Sequence, residues 1–102
     1  SYPVVSGIIG NNAAADKFTL EQNYPNPFNP STKISFSVPK PGFVSLKIFD
    51  ITGKEAAVVT NEFMNAGKYT AEFNASSLTS GTYFYRLEAN GFSETRKMIL
   101  VK

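Results

Sequence analysis

Polar and apolar residues alternate strictly from Thr32 to Val38, with Ile34, Phe36 and Val38 on one side and Lys33, Ser35 and Ser37 on the other. This period of two is the signature of a half-buried β-strand. Phe43 to Asp50 repeats it through Val44, Leu46 and Ile48, and Lys68 to Phe73 through Tyr69, Ala71 and Phe73. Lys54 to Thr60 is a weaker strand, expected to turn Ala56 and Val58 inward. Between these runs lie turn signals, at Asn29-Pro30, Pro39-Lys40-Pro41-Gly42, Thr52-Gly53, Asn65-Ala66-Gly67, Ser80-Gly81 and Asn90-Gly91. No segment holds a 3.6-residue period over three turns; Ala13 to Leu20 offers at most one turn of helix behind Asn12. The pattern predicts an all-β domain: a small antiparallel β-sandwich of immunoglobulin or fibronectin type III character, with about seven strands.

The sharpest register prediction concerns the end of the chain. Asn90-Gly91 between alternating runs is a strong hairpin signal, because a type I′ turn needs positive φ at both central residues. A two-residue loop sets Ala89 opposite Phe92, Leu87 opposite Glu94, Tyr85 opposite Arg96 and Tyr83 opposite Met98. Tyr83, Tyr85, Leu87, Met98 and Leu100 then share one face, and Phe84, Lys97, Ile99 and Val101 the other. Apolar residues on both faces of the last strand predict that it is central in its sheet or that its second face meets a partner.

Two stretches break the alternation. Gln22 to Thr32 contains three prolines within six residues, Pro25, Pro27 and Pro30. Each removes a backbone donor and restrains its predecessor, so a stiff, partly polyproline-like arm is expected, with Tyr24 and Phe28 folded back over an apolar surface. Residues 1–17 are small and polar around Gly7, Gly10, Asn11, Asn12 and Ala13-Ala14-Ala15. They are expected to be a linker or the tail of a preceding domain, with the folded domain spanning 18–102; the alternative is an ordinary first strand at 3–9. The start lacks a charged segment followed by an apolar one, so the chain reads as a piece of something longer.

Composition narrows the chemistry. The chain has 102 residues, enough for one domain, and its nine phenylalanines and five tyrosines can build a self-supporting core. Ten basic and eight acidic residues are spread along it without a patch or tail, which argues against a nucleic-acid partner. There is no cysteine and no histidine, removing disulfides, thiolate metal sites and the usual general base. No apolar run reaches the length of a membrane-spanning helix. Neither cofactor nor metal is expected, and no catalytic residue is assigned.

The remaining candidates each have a structural reading beside the functional one. Asp50, ahead of Ile51-Thr52-Gly53, suits a turn carboxylate bonding the backbone two residues on better than a metal ligand. Phe43, Phe49, Phe84 and Phe92 are expected on the solvent side, where flat rings can stack on sugars, as a polysaccharide-binding or spacer module of a surface enzyme would use them. Lys97 and Lys102 bracket Met98-Ile99-Leu100-Val101 as charges that keep a terminal strand soluble, or as part of an address carried by that strand.

Several separated motifs occur in a recognisable order: Phe18 to Thr32 with Gln22-Asn23-Tyr24-Pro25-Asn26-Pro27-Phe28-Asn29-Pro30, then Ile34-Ser35-Phe36, Val44 to Asp50 with Gly53, Leu78 to Leu87 with Gly81-Thr82-Tyr83, and Lys97 to Lys102. Over 18–102 the chain resembles the type A C-terminal sorting domain of the type IX secretion system, the Por secretion tail. The same segments resemble the immunoglobulin-like domain of flagellar hook-capping proteins. The first resemblance implies a non-catalytic sorting signal behind an upstream cargo in the same chain, recognised by translocon and shuttle components of a Gram-negative exporter. It implies Sec-dependent transit through the periplasm, arrival at the cell surface or outside, and removal by a sortase-like peptidase. It places recognition on Gly81, Tyr83, Lys97, Met98, Ile99, Leu100, Val101 and Lys102, and cleavage in Gly10, Asn11, Asn12, Ala13, Ala14 or Ala15.

Overall fold

The computed structural model describes residues 16–102 in full and the backbone of Val5–Asn11. Eight strands form in chain order: β1 (Val5–Asn11), β2 (Thr19–Leu20), β3 (Ser31–Val38), β4 (Gly42–Asp50), β5 (Glu55–Met64), β6 (Gly67–Asn74), β7 (Gly81–Ala89) and β8 (Phe92–Leu100). They make two antiparallel four-stranded sheets, ordered β1-β6-β3-β2 and β5-β4-β7-β8. The first sheet turns Ile34, Phe36, Ala71 and Phe73 inward; the second sheet buries Val44, Leu46, Ile48, Tyr85, Leu87, Met98 and Leu100. Seven of the strands lie between residue 18 and the end. The eighth, β1, pairs with β6 from Gly7 opposite Glu72 to Asn11 opposite Lys68. Part of the stretch expected as a linker thus satisfies the edge of β6, as a strand two residues later than the 3–9 alternative.

The β7–β8 register is the one the hairpin signal predicts, from Ala89 opposite Phe92 to Tyr83 opposite Met98. Asn90 and Gly91 both take positive φ, +46° and +82°. Strand β5 departs from expectation: Ala57 and Val59 are buried, while Ala56 and Val58 are only half-buried. Its register against β4 shifts twice, between Leu46 and Lys47 and between Ile48 and Phe49, each time inserting one extra β5 residue. A bulge changes which side chains face the core, and simple alternation misses it.

The last strand is an edge strand in its sheet, not a central one. Its second partner is the proline arm. From β2 the chain continues beside β3, with Glu21 N–H donating to Ser35 O (2.9 Å) and Tyr24 exchanging backbone bonds with Lys33 (3.0 and 2.9 Å). It then crosses to β8, where Phe28 N–H donates to Ile99 O and Val101 N–H to Phe28 O, both at 2.9 Å. Side-chain amides extend the pairing: Ile99 N–H donates to Asn26 Oδ1 (3.0 Å) and Gln22 Nε2 to Lys97 O (2.8 Å). Arg96 Nε donates to Leu20 O at 2.6 Å. The arm therefore laces the open side of the sandwich, and its donor-free prolines end the ladder there. Phe28 inserts fully into the core, as expected. Tyr24 does the opposite and stands 80% exposed, because its backbone is engaged with Lys33 while Asn23 takes the inward place. The arm closes on itself rather than running straight: Asn23 Nδ2 bonds both Pro25 O and Thr32 Oγ1.

Besides Phe28, a buried hydroxyl ties the start of the arm to the core. Tyr85 is fully buried; its O–H donates to Glu21 O (2.7 Å) and accepts from Asn23 N–H (2.8 Å). Burial holds its pKa above the ordinary tyrosine value, against the opposing pull of the Asn23 N–H.

Tyr85→Phe leaves a buried N–H and C=O without this partner and is expected to cost about 1–3 kcal/mol in urea denaturation. The unfolded chain ionises this tyrosine near pH ~10 while the folded chain resists, so stability falls as pH rises from there toward the higher folded value. The difference between parent and Tyr85→Phe should narrow over that range; a difference independent of pH would remove the buried-phenol account. Phe28→Ala is expected to cost about 3–5 kcal/mol, and a loss below about 1 kcal/mol would show that the arm is not part of the core.

Candidate recognition surface

The hairpin makes neighbours of two motifs that are well separated in sequence. Gly81 lies opposite Leu100, and Tyr83 opposite Met98. Strand alternation then divides the eight candidate residues. Tyr83, Met98 and Leu100 point into the core, and the Tyr83 hydroxyl donates to Thr79 O at 2.7 Å. Lys97, Ile99 and Val101 point outward, with Lys97 exposed, Ile99 half-buried and Val101 49% exposed. Lys102 is exposed and tied down at both ends: its N–H donates to Ser80 Oγ (3.0 Å) and its Nζ to Ser76 O (2.5 Å). Gly81 is favoured by its backbone, at φ +154°, and not by crowding, because an added Cβ would meet nothing within 4 Å.

Beside the outward residues the second sheet supplies an aromatic and cationic surface. Phe84 lies opposite Lys97, and Phe49 opposite Phe84. The Arg86 guanidinium sits 4.5 Å above the Phe49 ring, with an ion pair from Arg86 Nε to Glu88 Oε1 at 3.5 Å. A cleft of about 250 Å³ runs between Phe49, Ile51, Phe84, Arg86 and Thr95, with Asp50 at its rim. Ile51 is 74% exposed there. Sequence reasoning misses Ile51 and Arg86 because their place depends on the β4–β7 pairing, whose strands are joined through β5 and β6 rather than by a short turn.

Asp50 acts as a turn residue. Its Oδ1 accepts from the Thr52 hydroxyl (2.6 Å), Thr52 N–H (2.9 Å) and Lys54 N–H (3.0 Å). Its pKa is lowered chiefly by the Thr52 hydroxyl, with the Lys54 and Thr52 backbone bonds adding to it and desolvation opposing. No three of His, Cys, Asp and Glu converge as a metal site among the described residues.

Of the four phenylalanines expected in solvent, Phe92 is instead on the inner side, stacked on Phe18 at 5.2 Å. Phe49 has one face covered by Arg86. Within the expected cleavage stretch, Gly10 and Asn11 belong to β1, opposite Tyr69 and Lys68. Asn12, Ala13, Ala14 and Ala15 lie outside the described residues.

No curated protein and no solved structure matches the chain. A family model does, over residues 22–102, from the first residue of the proline arm through the last strand to Lys102; its description is secretion system C-terminal sorting domain. The matched span contains the arm, the Gly81-to-Leu87 strand and the outward face of β8. The chain therefore belongs to the C-terminal sorting domain family of the type IX secretion system.

Proposed function

We propose that this domain is a non-catalytic address whose outward-facing half of β8 is what the type IX machinery reads. The observation that carries this is the division of the last strand. Met98 and Leu100 are committed to the core, and the arm occupies the strand's free edge. Lys97, Ile99 and Val101 remain, presented rigidly beside Phe84. A translocon or shuttle surface offering apolar side chains and a carboxylate for Lys97 would complement them. Gly81 and Tyr83 then serve recognition indirectly, by setting the backbone and floor on which β8 lies.

The cargo precedes the domain in the same chain, crosses the periplasm, and reaches the cell surface or medium. Removal by a sortase-like peptidase would act between β1 and β2, at Asn12 to Ala15. Gly10 and Asn11 are poorer sites, since their backbone is engaged with β6 and a peptidase needs an extended chain free of a sheet.

Deleting Lys97 to Lys102 would also strip Met98 and Leu100 from the core, so a surface change is the sharper test. A reporter fused ahead of residues 1–102, behind a Sec signal, should leave the periplasm in a type IX-competent host and stay there when the translocon is missing. The Lys97→Glu/Ile99→Ser variant should keep its thermal midpoint within a few degrees yet leave most of the reporter periplasmic. Export of the folded variant at the parent level would contradict the proposed face.

A further inference from the structure

We propose a second site on the outer face of the second sheet, which takes a neutral, extended polysaccharide chain across the cross-strand pair Phe43 and Phe63. These residues lie directly opposite each other in the β4–β5 ladder and are 57% and 64% exposed. Residues paired this way project from the same face, so both rings stand on the outer face at the end of the sheet away from Lys97 and Ile99. Flat rings of this kind suit the C–H faces of pyranose sugars, which stack on them while hydroxyls reach neighbouring polar groups.

Those polar groups are present. A shallow groove of about 580 Å³ begins at Phe43 and is lined by Ser45, Lys47, Asn61, Glu88 and Asn90, with Phe92 at its far side. Ser45 lies opposite Asn61 on one side and Glu88 on the other. Hydroxyl and amide groups thus sit one strand apart along the groove, as both donors and acceptors. Its charges are already matched: Lys47 Nζ is 3.6 Å from Glu55 Oε1, and Glu88 Oε1 is 3.5 Å from Arg86 Nε. A lining neutralised from within favours an uncharged ligand. The groove lies open on the sheet face, which suits a chain passing through rather than an enclosed terminal sugar.

The other aromatic candidates are less free, since Phe49 is capped by a guanidinium and Phe92 is stacked on Phe18. The bulges of β5 fall at Val59 and Ala56, and the segment around Phe63 pairs regularly with β4, so a second copy adding a strand there is the rival occupant that sedimentation decides. The site is independent of the sorting face, and its failure would leave that reading standing.

The test is an NMR titration of the 102-residue chain with soluble hexaoses of glucose, xylose and mannose, with an alginate oligosaccharide as anionic comparator. At least one neutral hexaose is expected to shift the amides of Phe43, Ser45, Asn61 and Phe63. Phe43→Ala/Phe63→Ala, at two exposed positions, should weaken that binding about tenfold or more with an unchanged melting profile. Four results would each overturn the proposal: no neutral hexaose binds, the double variant binds like the parent, alginate binds more tightly, or sedimentation shows that the two rings join copies of the chain.

Discussion

Phe28 holds the edge of β8 by two backbone hydrogen bonds, to Ile99 and Val101, while its ring fills the core between the sheets. The two sheets of a sandwich are joined mainly by side-chain packing, and an apolar edge strand at the end of a chain invites wrong partners. Here the same short arm pairs with β3 through Tyr24 and with β8 through Phe28, tying one sheet to the other. Gln22 and Asn23 supply side-chain amide N–H donors of the kind the prolines lack, and Asn26 Oδ1 accepts from Ile99 N–H. The Tyr85 hydroxyl holds the arm at its start.

The functional surface follows from that constraint. Were β8 central in its sheet, its backbone would be equally satisfied, but a further strand would flank its outward side chains. Were its edge free, pairing with any extended chain would compete with specific recognition. With the edge occupied by the arm, the proposed recognition falls to the outward side chains, Lys97, Ile99 and Val101, held in register by Met98 and Leu100 beneath. The exposed pair Phe43 and Phe63 lies at the other end of the same sheet, so the two proposed sites do not overlap.

Much of this fold is legible in the sequence because two local rules dominate it. Alternation in Ile34-Phe36-Val38 and Val44-Leu46-Ile48 identifies core faces, and Asn90-Gly91 specifies a register that carries through to Tyr83 opposite Met98. What escapes is non-local. The β5 bulges shift the core from Ala56 and Val58 to Ala57 and Val59, and depend on β4 rather than on β5 alone. Tyr24 and Phe28 are both aromatic residues flanked by proline, yet one is exposed and the other buried, because different strands engage their backbones. The candidate address is visible as a motif; its division into core-facing and outward halves becomes definite only once the hairpin and arm are both in place.

Amide hydrogen exchange on the 102-residue chain tests the central claim most directly. If the arm closes the edge of β8, the amides of Phe28, Ile99 and Val101 exchange together as one slow group, with protection close to that of neighbouring β7. Fast exchange at Phe28, Ile99 and Val101 alongside slow exchange through the rest of β7 and β8 would show the arm detached and the last strand open, contradicting the account.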